Sequence, residues 1–224
     1  MSVQEPTPLQ AIFFDVDGVL IDSLDIKGEA FALAFSEFPN RRDEIMRFHL
    51  EHGGVTRSEK LALIFHSVYG REATADELDA RVAVFGAFVV SAVIAAPEIR
   101  GASGALGYWS TRASLHAVSA TPTEELVHIL EKRGLSDFFT SVQGWPPNKT
   151  KTIKTLLGEH AYDPDRCVLV GDSREDLNAA SSASTHFVQV SRSPESDFAE
   201  SIWVVRDLAD LSGVLESVVR LSAQ

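Results

Sequence analysis

Two short strings in this sequence hold acids at spacings that chemistry can use. The first is Phe13-Phe14-Asp15-Val16-Asp17-Gly18-Val19-Leu20, where two carboxylates close an apolar run just before a glycine turn. Residues two apart on extended backbone point the same way, so Asp15 and Asp17 can converge on one ligand. The second is Val168-Leu169-Val170-Gly171-Asp172-Ser173-Arg174-Glu175-Asp176, another apolar run that ends in acids. Asp172 and Asp176, four apart, fall on one side of the helical turn expected to follow. Aspartate after a strand is commonly only a cap or turn former. Two acid-and-glycine strings, each directly behind an apolar run, would arise by chance in under about 1% of chains of this size. A calcium loop fits poorly, because Gly18 stands fourth in its string rather than sixth and the spaced ligands are missing.

Further candidates lie between these strings. Ser119 follows the apolar run Leu115-His116-Ala117-Val118, and Thr123, Glu124 and Glu125 open a helix behind it. Its hydroxyl and the Ala120 amide would hydrogen-bond a phosphoryl oxygen, as anion sites at helix N-termini do. Lys149 closes the rigid loop Gly144-Trp145-Pro146-Pro147-Asn148 just before another helix, while Lys151 and Lys154 read as solvated. His49, His52, Gly53, Gly54, Arg57 and Lys60 come in close succession. The glycine pair frees the backbone to approach a ligand, and Arg57 and Lys60, three apart at a helix start, face one way. The two histidines read as a surface pair.

The elements that must position these residues follow from hydrophobic periodicity. Apolar runs at 11–14, 115–120, 138–144, 167–171 and 186–190 predict strands, and those after the first alternate with helical patterns. That alternation predicts an α/β fold, a Rossmann-like parallel sheet whose strand carboxyl ends carry the ligand site. Between the first and second strands the pattern is helical, with helices at 26–38, 43–50 and 58–68, the last closed by Gly70. Thr74 and Glu77 make a capping box for a fourth, long helix. Its apolar stretch, 82–96, is interrupted by Gly86 and Ser91 and closed by Pro97, which predicts a buried helix at a domain boundary, too short to span a membrane. The expected organisation is a core domain at 1–21 and 97–224 with an inserted all-helical cap at 22–96.

Composition bounds the partners. A chain of 224 residues with 45% hydrophobic and 23% charged residues is globular, and 32 acidic against 20 basic residues give a formal charge of -12. That charge predicts no partnership with nucleic acid or an anionic membrane, and requires local charge or a metal to meet an anionic substrate. The single cysteine, Cys167, can form no internal disulfide, and no cluster has structural-zinc spacing. Residues 1–10 are polar with Pro6 and Pro8, unlike a secretory signal, so a cytoplasmic setting is expected.

Taken in order, these elements resemble the haloacid dehalogenase superfamily of phosphohydrolases over nearly the whole chain. The string from Asp15 to Ser23 is similar to its first motif, Ser119 to its second, Lys149 in a Gly-x-Pro-x-x-Lys context to its third, and Gly171-Asp172-x-x-x-Asp176 to its fourth. The inserted helices resemble the cap of phosphoglycolate phosphatase and β-phosphoglucomutase relatives. Ser184 departs from the pattern, where relatives commonly have glycine. The resemblance implies Mg²⁺ held by the Asp15 and Asp172 side chains and the Asp17 carbonyl, with Asp176 acting through a second shell or water. It also implies phosphate binding by Gly18, Ser119, Ala120 and Lys149, and places Gly53, Gly54, Arg57 and Lys60 against the leaving group.

The chemistry of the residues agrees. Phosphoryl transfer needs an in-line nucleophile, a proton donor for the leaving oxygen, and positive charge over the equatorial oxygens. Asp15 supplies the nucleophile through an aspartyl-phosphate, and Asp17 the acid and base, a role expected to benefit from a raised pKa beside another carboxylate. Lys149 balances charge, and oxygen-only ligands select Mg²⁺. The expected activity is hydrolysis of a small phosphorylated metabolite by a monomer or homodimer. The alternatives are a phosphomutase acting on a sugar phosphate and, in another class, a non-catalytic binding protein.

Overall fold

A computed structural model describes residues 9–52, 55–191, 198 and 203–222. The first strand, β1 (Ala11–Phe14), is entirely buried, as a continuous apolar run predicts for a central strand covered on both faces. Ile12 and Phe14 pack into one hydrophobic cluster and Ala11 and Phe13 into another, the alternation of a pleated strand dividing the two sides of the sheet. The other strands are β2 (Ser114–Pro122), β3 (Ser141–Trp145), β4 (Cys167–Gly171), β5 (His186–Val190) and β6 (Val204–Val205).

Among the described residues these six strands form one sheet in the order β3-β2-β1-β4-β5-β6, with every pairing parallel. From β1 the chain builds outward through β2 to β3, then crosses back to lay β4 on the other side of β1. The reversal makes the carboxyl ends of β1, β2 and β4 a topological switch point, where open α/β sheets leave a crevice. Asp15, Ser119 and Asp172 all sit there. The helices between strands are α5 (Ala102–Trp109), α6 (Thr123–Lys132), α7 (Lys149–Glu159) and α8 (Arg174–Ala183), with α9 (Leu211–Ser222) at the end.

Four helices lie between β1 and α5: α1 (Leu24–Ala34), α2 (Arg42–Glu51), α3 (Arg57–Tyr69) and α4 (Ala75–Ala95). Thr56 and Thr74 cap α3 and α4 with complete capping boxes to Glu59 and Glu77, and Gly70 ends α3 in the left-handed conformation. The aromatic centre of this layer, Phe31, Phe35, Phe65 and Phe85, is continuous with the hydrophobic cluster on the facing side of the sheet.

Three expectations need correction. Helix α1 ends at Ala34 rather than reaching residue 38, because the chain turns into a 3-10 turn at Pro39–Arg41. Strand β3 starts at Ser141, since Ser136–Phe138 forms another 3-10 turn. Helix α4 is not buried all round: Phe85, Val89 and Val93, four apart, face inward, while Val84 and Phe88 are exposed. Its 21 residues are also long and apolar enough to cross a membrane by length and composition, although it packs here against α1, α3 and α6. The short strand β6 and helix α5 carried too little periodicity to be anticipated.

Candidate active site

The site begins with the backbone leaving β1. The Asp15 amide donates to the Val170 carbonyl at 2.9 Å, extending the sheet by one residue and fixing the carboxylate at the crevice floor. The chain then closes a tight loop, in which the Gly18 amide donates to the Ile21 carbonyl at 2.8 Å. Gly18 has φ +81°, and a Cβ there would stand 2.2 Å from Asp172 Oδ2. Its part is therefore spatial, leaving Asp172 room to approach Asp15, and its amide is already engaged within the loop.

One carboxylate oxygen each of Asp15, Asp172 and Asp176 lie within 4.8 Å of one another. Lys149 Nζ sits 2.9 Å from Asp15 Oδ2 and 2.5 Å from Asp176 Oδ1. Both oxygens of Asp176 are taken by protein donors, since Oδ2 also accepts from the Ser173 amide at 3.0 Å and the Ser173 hydroxyl at 2.6 Å. Burial pushes the Asp15 carboxyl up to about 7; Lys149 opposes that rise, and the Asp176 and Asp17 charges add to it. Asp172 is raised well above the usual carboxylate range by burial and then by Asp15 and Asp176. Lys149, though burial opposes its charge, is held protonated by Asp15 and Asp176.

One ammonium among three carboxylates, two of them buried and Asp172 half-buried, leaves negative charge uncompensated, and oxygen donors alone suit a hard divalent cation. The donor set thus fits a metal, with oxygens on Asp15 and Asp172 that have no hydrogen-bond partner among the described residues and those of Asp176 already engaged.

Asp17 stands differently from expectation. Burial raises its pKa, but the charge and hydrogen bond of Lys27, with hydrogen bonds from Ser23 and Thr121, more than reverse this and hold it below its ordinary value. Ser23 Oγ donates to Asp17 Oδ1 at 2.6 Å, and Thr121 Oγ1 lies 3.2 Å from Oδ2. Lys27 forms an ion pair with Asp17 and donates to Thr121 Oγ1 at 2.9 Å. The raised pKa anticipated from the neighbouring carboxylate is overturned by this lysine, a site residue not anticipated from the sequence. The available signal was its place one turn into α1, four residues after Ser23. Nothing in the sequence showed that α1 leans over the crevice.

Ser119, buried, accepts from the Thr121 amide at 3.1 Å, and its Oγ is 3.5 Å from Asp17 Oδ2. Ala120 lines the same crevice. Asn148 caps α7 by accepting from the Lys151 amide at 3.0 Å, which sets Lys149 as the first residue of the helix. Cys167 is buried and its thiol pushed up to about 12 by burial, so it offers no nucleophile.

Helices α1 to α4 roof the crevice. Together with the sheet ends they enclose a cavity of about 510 Å³, lined by Asp15, Asp17, Ser119, Lys149 and Asp172 below and by Lys27, Phe31, His49, Arg57, Lys60 and Phe85 above. Arg57 grips Glu125 on α6 with both terminal guanidinium nitrogens, one of them at 2.9 Å, and lies 4.6 Å over the Phe85 ring. Lys60 is 2% exposed, with Nζ 3.0 Å from His49 Nδ1. His49, expected at the surface with His52, is instead 5% exposed; His52 stacks on Phe48 and its Nδ1 lies 2.8 Å from the Phe48 carbonyl oxygen. The correction has a packing cause, because His49 lies on the inner face of α2 against Phe31. Gly53 and Gly54 lie outside the described residues.

A parallel sheet with acids and a lysine gathered at its switch point under a helical roof has clear counterparts among known proteins. The family model for haloacid dehalogenase-like hydrolases matches residues 9–184. The chain belongs to that family. A curated phosphoglycolate phosphatase of Photobacterium profundum is 32% identical over 76 residues, a match covering 32% of this chain and 33% of that protein. A Haemophilus somnus 129PT crystal structure, described as a predicted phosphoglycolate phosphatase, superimposes with a TM-score of 0.76 at 21% identity, covering 93% of this chain and 98% of that one. A Thermotoga maritima structure provisionally assigned as a β-phosphoglucomutase gives 0.70 at 22% identity, covering 94% and 100%. At these identities the two structures show the fold alone.

Proposed function

We propose that this protein is a Mg²⁺-dependent phosphatase of a small phosphorylated metabolite, working through an aspartyl-phosphate on Asp15. The observation that carries the reading is the meeting of Asp15, Asp172, Asp176 and Lys149 at the sheet's switch point, opening into a cavity between the sheet ends and the helices above. Asp15 and Asp172 side chains and the Asp17 carbonyl would hold the cation, with Asp176 positioning Lys149. When bound, the cation neutralises the carboxylates and the phosphoryl oxygens so that the nucleophile can approach an anion.

An Asp15 oxygen attacks phosphorus as the bond to the leaving oxygen breaks. Asp17 gives that oxygen a proton, then takes one from the water that attacks the aspartyl-phosphate, releasing phosphate and restoring Asp15. The low pKa of Asp17 suits the second half, in which it must be a base. For the first half it needs a proton, which a phosphomonoester monoanion can deliver. Ser119, the Ala120 amide and Lys149 steady the phosphoryl oxygens.

Residues 22–96 act as the cap and residues 1–21 and 97–224 as the core. The partner is a small metabolite in a cytoplasmic setting. A phosphomutase is the second reading, favoured by the Arg57–Glu125 pair, which holds the roof on the core and would keep water from the phospho-enzyme.

Release of inorganic phosphate from acetyl phosphate, lost with EDTA and restored by Mg²⁺, tests the main reading. Full turnover in EDTA would refute it, and a sugar-phosphate isomer formed without free phosphate would turn it into the mutase.

A further inference from the structure

The outer face of α4 carries an apolar stripe that the described residues leave uncovered. Ala80, Val84, Ala87, Phe88, Ser91 and Ala95 are all exposed, Val84 at 43% and Phe88 at 37%. Their spacings, 80-84-87-91 and 84-88-91-95, step by four, three and four, which keeps them in one strip along a helix surface. Between Arg81 and Glu98 the sequence holds no charged residue. A helix needs one apolar face to pack on its own domain, and α4 has that face in Phe85, Val89 and Val93. The stripe is a second apolar face, and contiguous exposed apolar surface of this kind marks a contact with another molecule.

The two ends of α4 carry opposite charge. Asp76 and Asp79 at its start are exposed, and neither has an ion-pair partner among the described residues. At its finish Arg133 donates to the Val93, Ile94 and Ala96 carbonyls, and the adjacent Lys132 is exposed and likewise without an ion-pair partner among the described residues. Glu98 at that end is held by the Ser103 amide and hydroxyl, and the exposed Glu131 offsets only one of the two basic charges. A second α4 laid antiparallel brings the acidic start of each helix to the basic end of the other, whereas a parallel one sets acids against acids.

We propose that this face docks a second copy of the chain, α4 against α4 in antiparallel, about a two-fold axis passing between Ala87 and Phe88. In that register Ala80 meets Ala95, Val84 meets Ser91 and Ala87 meets Phe88. Each of the two larger side chains thus faces a small one, and the whole stripe is covered at once. The same patch serves both copies, as a two-fold interface requires, and the small residues let the axes come as close as about 8 Å. A membrane is the poorer occupant, although α4 is long and apolar enough to cross one. Its other face is buried in the molecule, and a helix lying on anionic lipid is flanked by Lys and Arg, whereas this one starts with acids in a chain of net charge -12. The pairing is independent of the reaction proposed for the cavity. Phe85, on the opposite face of α4, lines that cavity, so the second copy stands behind one of its walls.

The stripe is about 22 Å long, short for a permanent interface, so the dimer should form with a dissociation constant on the order of micromolar. Analytical ultracentrifugation of the full chain from about 1 to 200 µM should show a monomer passing to a dimer. Ala87→Arg sets like charges together at the axis and should weaken the dimer by at least about 10-fold, with the circular dichroism spectrum unchanged because the position is exposed and arginine is a good helix former. A chain that stays monomeric throughout, or a dimer that Ala87→Arg leaves untouched, overturns the proposal.

Cross-linking reads the register. With a bis-maleimide spanning about 8 Å, Ala87→Cys should link to its own mate, since both lie beside the axis. Ala80→Cys should not link to itself, because the two copies of residue 80 stand about 22 Å apart along the helices, but it should link to Ala95→Cys in a mixture. Cys167 is buried and serves as the internal blank. Self-linking of Ala80→Cys, as a parallel pair would give, overturns the antiparallel arrangement. Co-sedimentation of the wild type with vesicles of phosphatidylcholine and phosphatidylserine, lost in Ala87→Arg, would assign the face to a membrane and overturn the proposal as well.

Discussion

The floor and the roof of the cavity are built on different principles. On the floor, backbone sets position: Asp15 and Asp172 continue adjacent strands β1 and β4, and Ser119 comes from β2 on the other side. On the roof, His49, Arg57 and Lys60 come from α2 and α3, and their places depend on packing against Phe31 and Phe85. The floor crowds three carboxylates around one ammonium, whereas the roof holds Lys60 with no carboxylate at ion-pair distance among the described residues. On the proposed reading, strand ends hold the reacting groups in fixed register, and a separate helical layer can vary the partner of the leaving group without disturbing them.

Substitutions can break that division, beginning with the floor. Asp15→Asn should abolish phosphate release, a loss of more than about 10³-fold, with the far-ultraviolet spectrum unchanged, because it exchanges a charge for an isostere in a polar crevice. Retention of more than a few per cent of activity would remove the covalent step. Asp17→Asn should slow turnover by about 10²- to 10⁴-fold, the range of a lost acid/base. Single-turnover kinetics should show both halves of the reaction slowed, and a defect confined to one half would narrow the role of Asp17.

Next comes the contact between the two layers. Glu125→Gln removes the charge that holds Arg57 to α6, and should cost about 1 kcal/mol of closure, roughly a fivefold fall in kcat/KM. The fall should be shared by substrates with different leaving groups, because the latch is not the discriminating contact. A fall confined to one substrate would make Arg57 a ligand.

The last effect belongs to the roof alone and is read in stability rather than in turnover. His49 keeps a folded pKa of about 3 against 6.5 when unfolded, so the unfolded chain binds its proton first. The resulting stability is present above pH 6.5 and is lost as pH falls from there through 3. The Tm gap between wild type and His49→Gln should therefore narrow from about pH 7 to about pH 5. A constant gap would show that His49 is solvated.

The floor was legible because its logic is local. Asp15, Asp17, Asp172 and Asp176 are marked by apolar runs, glycine and spacing, all visible within nine residues. The strands at 11–14, 167–171 and 186–190 read correctly for the same reason. Lys27, Thr121 and the inward turn of His49 were hidden because each depends on how α1 and α2 lean on the sheet, a tertiary choice that no short window encodes. The exposed outer face of α4 was misread because apolar composition was taken for burial, and a helix can be apolar on the side it leaves uncovered.

One helix fastens the two layers at both of its ends. Near its start α6 offers Glu125 to Arg57; just past its end Arg133 donates to the Val93, Ile94 and Ala96 carbonyls, where α4 finishes. The two fastenings are eight residues apart, about 12 Å along a helix axis. The second grips the chain where it passes back toward the sheet, and the first ties the start of α3 to the start of α6 beside the cavity. The two layers are thus held together at two separate points of one short helix, through two side-chain contacts of different chemistry, an ion pair and a set of bonds to carbonyls.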